Sequence, residues 1–298
     1  MRHGTRLMTA FLAVASLLVA GQNGQAEGMT PIAENLECKT YCGVSIGGRL
    51  SAQDPDGDLL RFAVTTSPVK GTLALQDDGT FLYTPGENRR GRDYFGYRVV
   101  DSEGNLSQEA TVIVRIERQK KAVSYWDMRG DPDEYAALAL SEHGLFTGEQ
   151  IGGQYCFSPE RTVSRGEFLS MCMLLTGQRV STHVLTTGYT DDAQIPGWMK
   201  GYVAAASALG LELGETEADG RLFEANKPIL RSEAEALLDR TLGLENVRYL
   251  EAEEAQSQAC LNLRAFGVIE DSRGPDLFLT RLDAARMLSR ALTLLERR

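Results

Sequence analysis

The sequence predicts an all-β sandwich followed by an all-α module built from three repeats. Residues 30–118 alternate short β-rich runs with turn residues. From residue 123 onwards the period at which apolar residues recur changes from two residues to about 3.6 residues, which is typical of amphipathic helices. A single pattern recurs at fixed offsets within this helical region, which indicates a repeat architecture. We therefore expect a multidomain protein.

Composition excludes several classes of function. The chain has 298 residues, of which 43% are apolar and 24% are charged, so wholesale disorder and a polytopic membrane protein are disfavoured. The formal net charge of −10 disfavours a basic surface, and we expect no nucleic-acid partner. Only three histidines are present, which are too few for most zinc sites. Catalytic triads that depend on histidine are disfavoured for the same reason. We therefore expect a protein without enzymatic activity.

The first segment, residues 1–26, has the order of a secretory signal peptide. Arg2 and Arg6 precede an apolar run from 7 to 20, and a polar stretch then ends on Ala26. This apolar run is too short to span a bilayer. We expect cleavage near Ala26 and an exported product without membrane contact. An uncleaved anchor helix is the alternative.

Six short runs predict the strands of an antiparallel sandwich. They are separated by turn-forming sequences such as DPDGD, SPVKG and SEGN. The turn at Asp77, Asp78 and Gly79 is the sharpest hairpin signal, because glycine accepts the positive φ at which strands reverse. The runs span residues 44–50, 59–66, 71–75, 80–84, 93–101 and 110–116.

The β-rich segment resembles the bacterial Ig-like, cadherin-like domains that occur in tandem in surface proteins. The motifs that carry the resemblance are SAQDPDGDLLRFAV, SPVKGTL, DGTFLYTP and GRDYFGYRVVDSEG, and they cover nearly all of residues 30–118. The resemblance implies a spacer or adhesive module and no catalysis.

Three alternating acids, Asp54, Asp56 and Asp58, are a candidate calcium site. Carboxylate oxygens are the ligands that calcium prefers, but an EF-hand would need a glycine and a glutamate where Leu59 and Thr65 stand. The alternative is an aspartate-rich turn whose side chains bond their own backbone. We expect no other cofactor.

The helical region contains two closely matching copies of one unit and a third, weaker copy. Phe157 and Arg165 recur 66 residues later as Phe223 and Arg231, and Arg281 follows Arg231 by 50 residues. A unit this small cannot bury its apolar stripe alone, so the copies must pack together. We place them at residues 123–180, 186–245 and 246–297.

The starts of the second helices predict their caps. Ser164 with Glu167 and Thr280 with Asp283 have the spacing of a capping box, in which side chain and backbone bond reciprocally. The second copy has Leu230 at the cap position and should lose this stabilisation.

These units resemble S-layer homology domains, which attach exported proteins to cell-wall polysaccharide. The openings YWDM and GYTDD, the loops GLFTG and GLELG, and the helix starts VSRGE, ILRSE and LTRLD carry the resemblance. It implies three repeats around a pseudo-threefold axis with glycan-binding grooves between them. It also implies that the arginine of each helix start faces the ligand, often a pyruvylated sugar.

Six residues are therefore candidates for glycan binding. An arginine at a helix start offers a planar fork for a carboxylate, beside the free amides of the helix N-terminus. For the arginines the alternative is an ion pair with a neighbouring acid, and for the tryptophan it is packing in the core. The candidates are Arg165, Arg231, Arg281, Trp198, Gly148 and Gly214.

Five cysteines in an exported chain raise the possibility of disulfides. Cys156, Cys172 and Cys260 occupy positions at which the other copies have apolar residues, which favours buried thiols. Cys38 and Cys42 are too far apart for a disulfide if they share a strand.

The sequence thus predicts a noncatalytic protein of the cell wall or cell surface. We expect its repeats to bind an anionic cell-wall polysaccharide, for which the resemblance implies a pyruvylated sugar, and its β domain to serve as a spacer or adhesive element. The alternative is an assembly module whose grooves have lost glycan binding and whose partners are other surface proteins. An enzyme acting on wall material is the third hypothesis.

Overall fold

The computed structural model describes residues 28–211, 213–247, 257–270 and 274–297. The predicted signal peptide, residues 1–26, lies outside the described residues. The described chain forms a β-sandwich followed by a helical region. In the described ranges no helix combines the length and the apolar character needed to cross a membrane.

Two sheets form the sandwich. Strands β2, β9, β8 and β5 pair in that order, and strands β3, β7 and β6 form the facing sheet. A short pair, β1 and β4, completes the domain. The strands are β1 (Ile32–Ala33), β2 (Leu36–Tyr41), β3 (Ile46–Arg49), β4 (Ala52–Gln53), β5 (Arg61–Thr66), β6 (Gly71–Leu75), β7 (Thr80–Pro85), β8 (Gly91–Val100) and β9 (Ala110–Glu117).

One feature of the pairing differs from the prediction. Each of the six predicted runs contains a strand, but the sandwich is not purely antiparallel, because β2 pairs with β9 in parallel. The sequence of β2, LECKTY, alternates apolar and polar residues only from Leu36 to Lys39, and the six predicted runs do not include it.

The sandwich core lies between the two sheets. Phe81 and Tyr83 of β7 face Phe95 and Tyr97 of β8, and all four rings are almost fully buried. The Tyr83 hydroxyl donates to the buried Asp93 carboxylate at 2.8 Å. Asp93 also accepts the amides before β6, and because these hydrogen bonds outweigh the opposing effect of burial, the pKa of Asp93 is lowered.

The helical region contains two small hairpins, six α-helices and one 3-10 turn (Asp192–Gln194) within the described residues. The hairpins follow α1 and α3 and join them to the helices that begin with arginine. The helices are α1 (Glu134–Glu142), α2 (Arg165–Leu175), α3 (Gly197–Ala208), α4 (Arg231–Leu242), α5 (Gln258–Ala265) and α6 (Arg281–Arg297), and the hairpins are β10 (Glu149–Ile151) with β11 (Gln154–Cys156) and β12 (Glu215–Glu217) with β13 (Gly220–Leu222).

A closed ring of backbone hydrogen bonds joins the segments that precede α2, α4 and α6. The Val163 amide donates to Leu279 O at 2.9 Å, the Leu279 amide to Ile229 O at 2.9 Å, and the Ile229 amide to Val163 O at 3.0 Å. All three side chains are almost fully buried. Because each segment donates to one neighbour and accepts from the other, the three helix starts form one body.

The predicted caps are confirmed where the side chain has an oxygen. Ser164 accepts the Glu167 amide at 3.3 Å, and the Glu167 carboxylate accepts the Ser164 amide at 2.8 Å. Thr280 accepts the Asp283 amide at 3.1 Å. Leu230 has no side-chain acceptor, so α4 retains only the bond from the Leu230 amide to the Glu233 carboxylate at 3.0 Å.

The β-sandwich packs directly on the helical region. Tyr41 belongs to the core of the helical region, and its ring lies 5.1 Å from that of Tyr135 in α1. The Gly47 amide of β3 donates to Pro132 O at 2.8 Å. These contacts create a cleft between β2, β3 and α6.

All five cysteines are free thiols. Cys156, Cys172 and Cys260 are buried, as predicted from their positions in the repeats. Burial raises the pKa of Cys172 far above its usual range, so its thiol stays protonated.

Candidate functional site

Arg165, the first residue of α2, is 3% exposed and bonds to the second copy. Its guanidinium donates to Phe223 O at 2.7 Å and to the carboxylates of Glu224 and Glu233 at 3.2 and 2.8 Å. The hydrogen bond from Lys227, which has the larger effect, and the hydrogen bond from Arg165 both lower the pKa of Glu224. The arginine therefore ties the start of α2 to the second copy.

Arg281, the first residue of α6, makes the corresponding contacts with the first copy. It is 6% exposed and donates to Phe157 O at 3.0 Å and to the Glu149 carboxylate at 2.8 Å. Its guanidinium carbon lies 4.8 Å from the centre of the Phe146 ring, a cation–π distance. Phe157 and Phe223 occupy equivalent positions in the repeat, so Arg165 and Arg281 recognise the same backbone carbonyl of the neighbouring copy.

Arg231, the first residue of α4, differs from the other two. It is 9% exposed and donates to Glu235 of its own helix at 2.9 Å. A second carboxylate, that of Asp283 at the start of α6, lies 3.9 Å away. Burial raises the pKa of Glu235, and the contact with Arg231 opposes that rise.

Each of the three arginines at the helix starts is thus directed toward a different copy of the repeat. Arg281 contacts the first copy, Arg165 the second, and Arg231 faces Asp283 in the third. A cation in the first turn of a helix is opposed by the helix dipole, and the surrounding carboxylates offset that cost. These contacts are those of the alternative hypothesis, in which each arginine pairs with a neighbouring acid. Contact with a glycan stays a prediction for all three.

Gly148 and Gly214 have a conformational reason to be glycine. Their φ values are 78° and 82°. A Cβ on Gly148 would lie 2.5 Å from Cys156 O, and one on Gly214 would lie inside van der Waals contact of Leu222 O. Both residues therefore allow a tight approach at the base of a hairpin. Their contact with a glycan stays a prediction.

Trp198 lies in the first turn of α3 and is 60% exposed. Its ring packs edge-on against Tyr202 at 6.5 Å. The alternative role in the core is wrong, because most of the indole faces solvent. A stacking role for Trp198 stays a prediction. A second exposed indole, Trp126, is 58% exposed and is not singled out by the sequence, since it has no aromatic counterpart at Thr190.

The three acids of the predicted calcium site form a turn. Asp54 Oδ1 accepts the amides of Asp56 and Asp58 at 2.9 and 3.0 Å. Asp56 accepts the Met29 amide, and Asp58 accepts the Ser102 hydroxyl at 2.8 Å. In the portion of the chain that the structure describes, no three acid, cysteine or histidine side chains are grouped to hold a metal. These contacts are those of the aspartate-rich turn, and calcium binding stays a prediction.

One buried oxygen in this turn remains available for a cation. Asp54 Oδ2 is buried and has no hydrogen-bond partner among the described residues. A buried carboxylate oxygen without a partner carries a desolvation cost that a bound cation would remove. This atom is the feature of the structure that fits calcium.

Two aspartates to which the sequence analysis assigned no role accept backbone amides of the loops that Arg165 and Arg281 contact. Asp127 accepts the amides of Phe157 and Ser158 at 2.9 and 2.7 Å. Asp191 accepts those of Phe223 and Glu224 at 2.9 and 2.8 Å. Both loops contain a non-glycine residue at positive φ, 56° at Ser158 and 54° at Glu224. The sequence signal that could have identified these two aspartates is the Tyr-x-Asp opening shared by the first two repeats.

Comparison with known proteins identifies the β-sandwich. Residues 30–118 match the family described as bacterial cadherin-like domain. A search of curated protein sequences found no match.

Several solved structures are similar over about a third of the chain. An endo-fucoidan hydrolase of glycoside hydrolase family 107 is 18% identical over 34% of this chain and 15% of its own, with a TM-score of 0.26. A mutant of the SrpA adhesin from Streptococcus sanguinis is 12% identical over 32% of this chain and 65% of its own, with a TM-score of 0.24. Fibronectin(III)-like modules of Clostridium thermocellum CbhA are 16% identical over 30% of this chain and 47% of theirs, with a TM-score of 0.21.

The matched region corresponds to about 15–17% of the fucoidan hydrolases' own length. At these TM-scores the similarities say nothing about function, and the family match alone assigns this region of the chain. Residues 30–118 form a bacterial cadherin-like domain.

Proposed function

We propose that this chain is a noncatalytic surface protein whose helical region binds an acidic polysaccharide of the cell envelope and whose cadherin-like domain serves as a spacer or adhesive element. The cadherin-like domain supports the surface location. The resemblance of the helical repeats to S-layer homology domains supports the polysaccharide.

The single observation that carries the proposal is the ring of three helix starts. Val163, Ile229 and Leu279 close it through backbone bonds of 2.9 to 3.0 Å, and an arginine follows each segment by two residues. A threefold body of this kind is what the resemblance implies for a wall-binding module.

Cosedimentation with purified cell-wall sacculi tests the proposal. Sacculi that retain their polysaccharide are expected to pull down the protein, and sacculi from which the polysaccharide has been removed are not. Equal retention on both preparations would contradict the proposal.

A second function, assembly with other surface proteins, is favoured by the burial of the arginines. The guanidinium of Arg165 is already bonded to Phe223 O, Glu224 and Glu233, so a sugar carboxylate must compete with protein acceptors. If Arg165 binds the glycan, Glu224→Gln should strengthen binding to sacculi by weakening that competition. If the helical region mediates assembly, the variant should leave sacculus retention unchanged.

Glu160→Gln is the matched control for that comparison. Glu160 is exposed, and within the described residues it forms no ion pair. A change of sacculus binding in Glu224→Gln that Glu160→Gln reproduces would reflect net charge and not the release of Arg165.

A further inference from the structure

The cleft between the cadherin-like domain and the helical region has the size of a ligand site. Its volume is about 590 Å³, within the range of small-molecule sites. Strands β2 and β3, each at the edge of its sheet, form one wall, and α6 forms much of the other. The cleft is separate from the ring of helix starts.

Basic side chains outnumber acidic ones in this cleft, although the chain as a whole has a net charge of −10. Six basic and four acidic residues line it. Each of the four acids is already bonded to a base. The pairs are Glu37 with Arg115, Asp133 with Arg286, Glu270 with Arg290, and Glu296 with Lys39.

Two arginines account for the positive excess. Arg49 of β3 and Arg297 of α6 are exposed, and neither lies within ion-pair distance of an acid among the described residues. Asp78 is the acid that interacts with Arg49 at longer range: hydrogen bonds from Thr80 are the main cause of its lowered pKa, and the charge of Arg49 contributes. The two arginines belong to opposite walls of the cleft. Two arginines on opposite walls of one cleft are suited to a ligand with more than one carboxylate.

The remaining surface of the cleft favours a saccharide over an extended peptide. Tyr135 and Phe266 contribute partly exposed rings, on which the apolar face of a sugar can pack. A peptide would bind to such an edge by adding a strand to β3. One backbone amide of that edge is already occupied, because the Gly47 amide donates to Pro132 O.

We propose that this cleft binds a carboxylated oligosaccharide through Arg49 and Arg297. The inference rests on the proposed function, binding of an acidic polysaccharide, and places the site between the two domains, away from the buried arginines of the helix starts.

Binding of polygalacturonate oligomers, measured by calorimetry at low salt, tests the inference. The double variant Arg49→Glu, Arg297→Glu is expected to bind at least about tenfold more weakly than the wild type, because two attractive charges become repulsive. The wild-type affinity should also fall as salt is raised, since both arginines are exposed.

Arg61→Glu is the control for a charge change outside the cleft, and it alters the net charge by two units, half the change in the double variant. Arg61 is exposed on β5, the opposite edge of the sheet from β2, about 14 Å away across three strand spacings. It changes the net charge in the same direction outside the cleft. We expect its affinity to differ from that of the wild type by less than about twofold.

Four results would overturn the inference, three from the binding measurements and one from cosedimentation. The first is undetectable binding of polygalacturonate by the wild type, and the second is an equal loss in Arg61→Glu and in the double variant. The third is binding of polyglutamate as tight as that of polygalacturonate, which would assign the cleft to an acidic peptide. If the double variant still cosediments with sacculi at wild-type affinity, the inference fails while the proposed function stands. If the wild type does not cosediment with sacculi, the proposed function fails.

Discussion

Replacing Arg165 by methionine tests whether the helix-start arginines hold the repeats together. The substitution keeps much of the aliphatic length and removes the guanidinium that donates to Phe223 O, Glu224 and Glu233. Each hydrogen bond to a charged group contributes roughly 1.5–3 kcal/mol. Glu224 and Glu233 are about a third exposed, so water rehydrates them in the variant and the sum must be discounted.

The expected loss in the free energy of unfolding is about 3 kcal/mol, at the lower end of the cost of removing one partner of a buried ion pair. With an m-value of about 3 kcal/mol/M, the urea midpoint falls by about 1 M. Circular dichroism at 222 nm follows this transition because the helices dominate the signal.

Arg61→Met is the control, since Arg61 is exposed and, among the described residues, has no ion pair. Its effect should stay within about 0.5 kcal/mol. A loss below about 1 kcal/mol in Arg165→Met would refute the structural role of the arginine.

Three further predictions concern the loop glycines, acid stability and calcium. Gly214→Ala should destabilise the helical region by at least about 1 kcal/mol, because alanine is strained at φ 82° and its Cβ would collide with Leu222 O. Urea unfolding measures this loss, and an unchanged midpoint would contradict the prediction. The hydrogen bond from Arg281 lowers the pKa of Glu149, so its contribution to stability is present above the unfolded value of about 4.3 and is lost as the pH falls through the folded value. Glu149→Gln should therefore unfold with a shallower pH dependence below about 4.3, and an unaltered profile would oppose this. Calcium should raise the melting temperature of the wild type and not of Asp54→Asn, because Asp54 Oδ2 is buried without a partner among the described residues; equal shifts in both would exclude this oxygen.

The features predictable from the sequence are those set by local chemistry. The six strand runs, the turn at Gly79 and the caps at Ser164 and Thr280 depend on residues close together in the chain. The parallel pairing of β2 with β9 was not predictable in this way. It joins segments more than 70 residues apart, and the register is set by burial across the whole sandwich.

The candidate site shows the same division. Self-comparison of the sequence placed the three arginines at equivalent positions, but their partners belong to other copies. Arg281 and Glu149 are 132 residues apart, and no local pattern joins them. The cleft between the domains was also beyond sequence analysis, because it depends on how Gly47 meets Pro132 and not on any motif.

Hydrogen exchange at the amides of Val163, Ile229 and Leu279 tests most directly whether the three helix starts form one body. In the structure each amide donates to the next segment of the ring, so breaking one contact requires opening its neighbours. We expect all three amides to exchange only through unfolding of the whole helical region, with the same free energy of opening. Exchange of one amide at a free energy several kcal/mol below that of the other two would show that the copies open separately and would contradict the account.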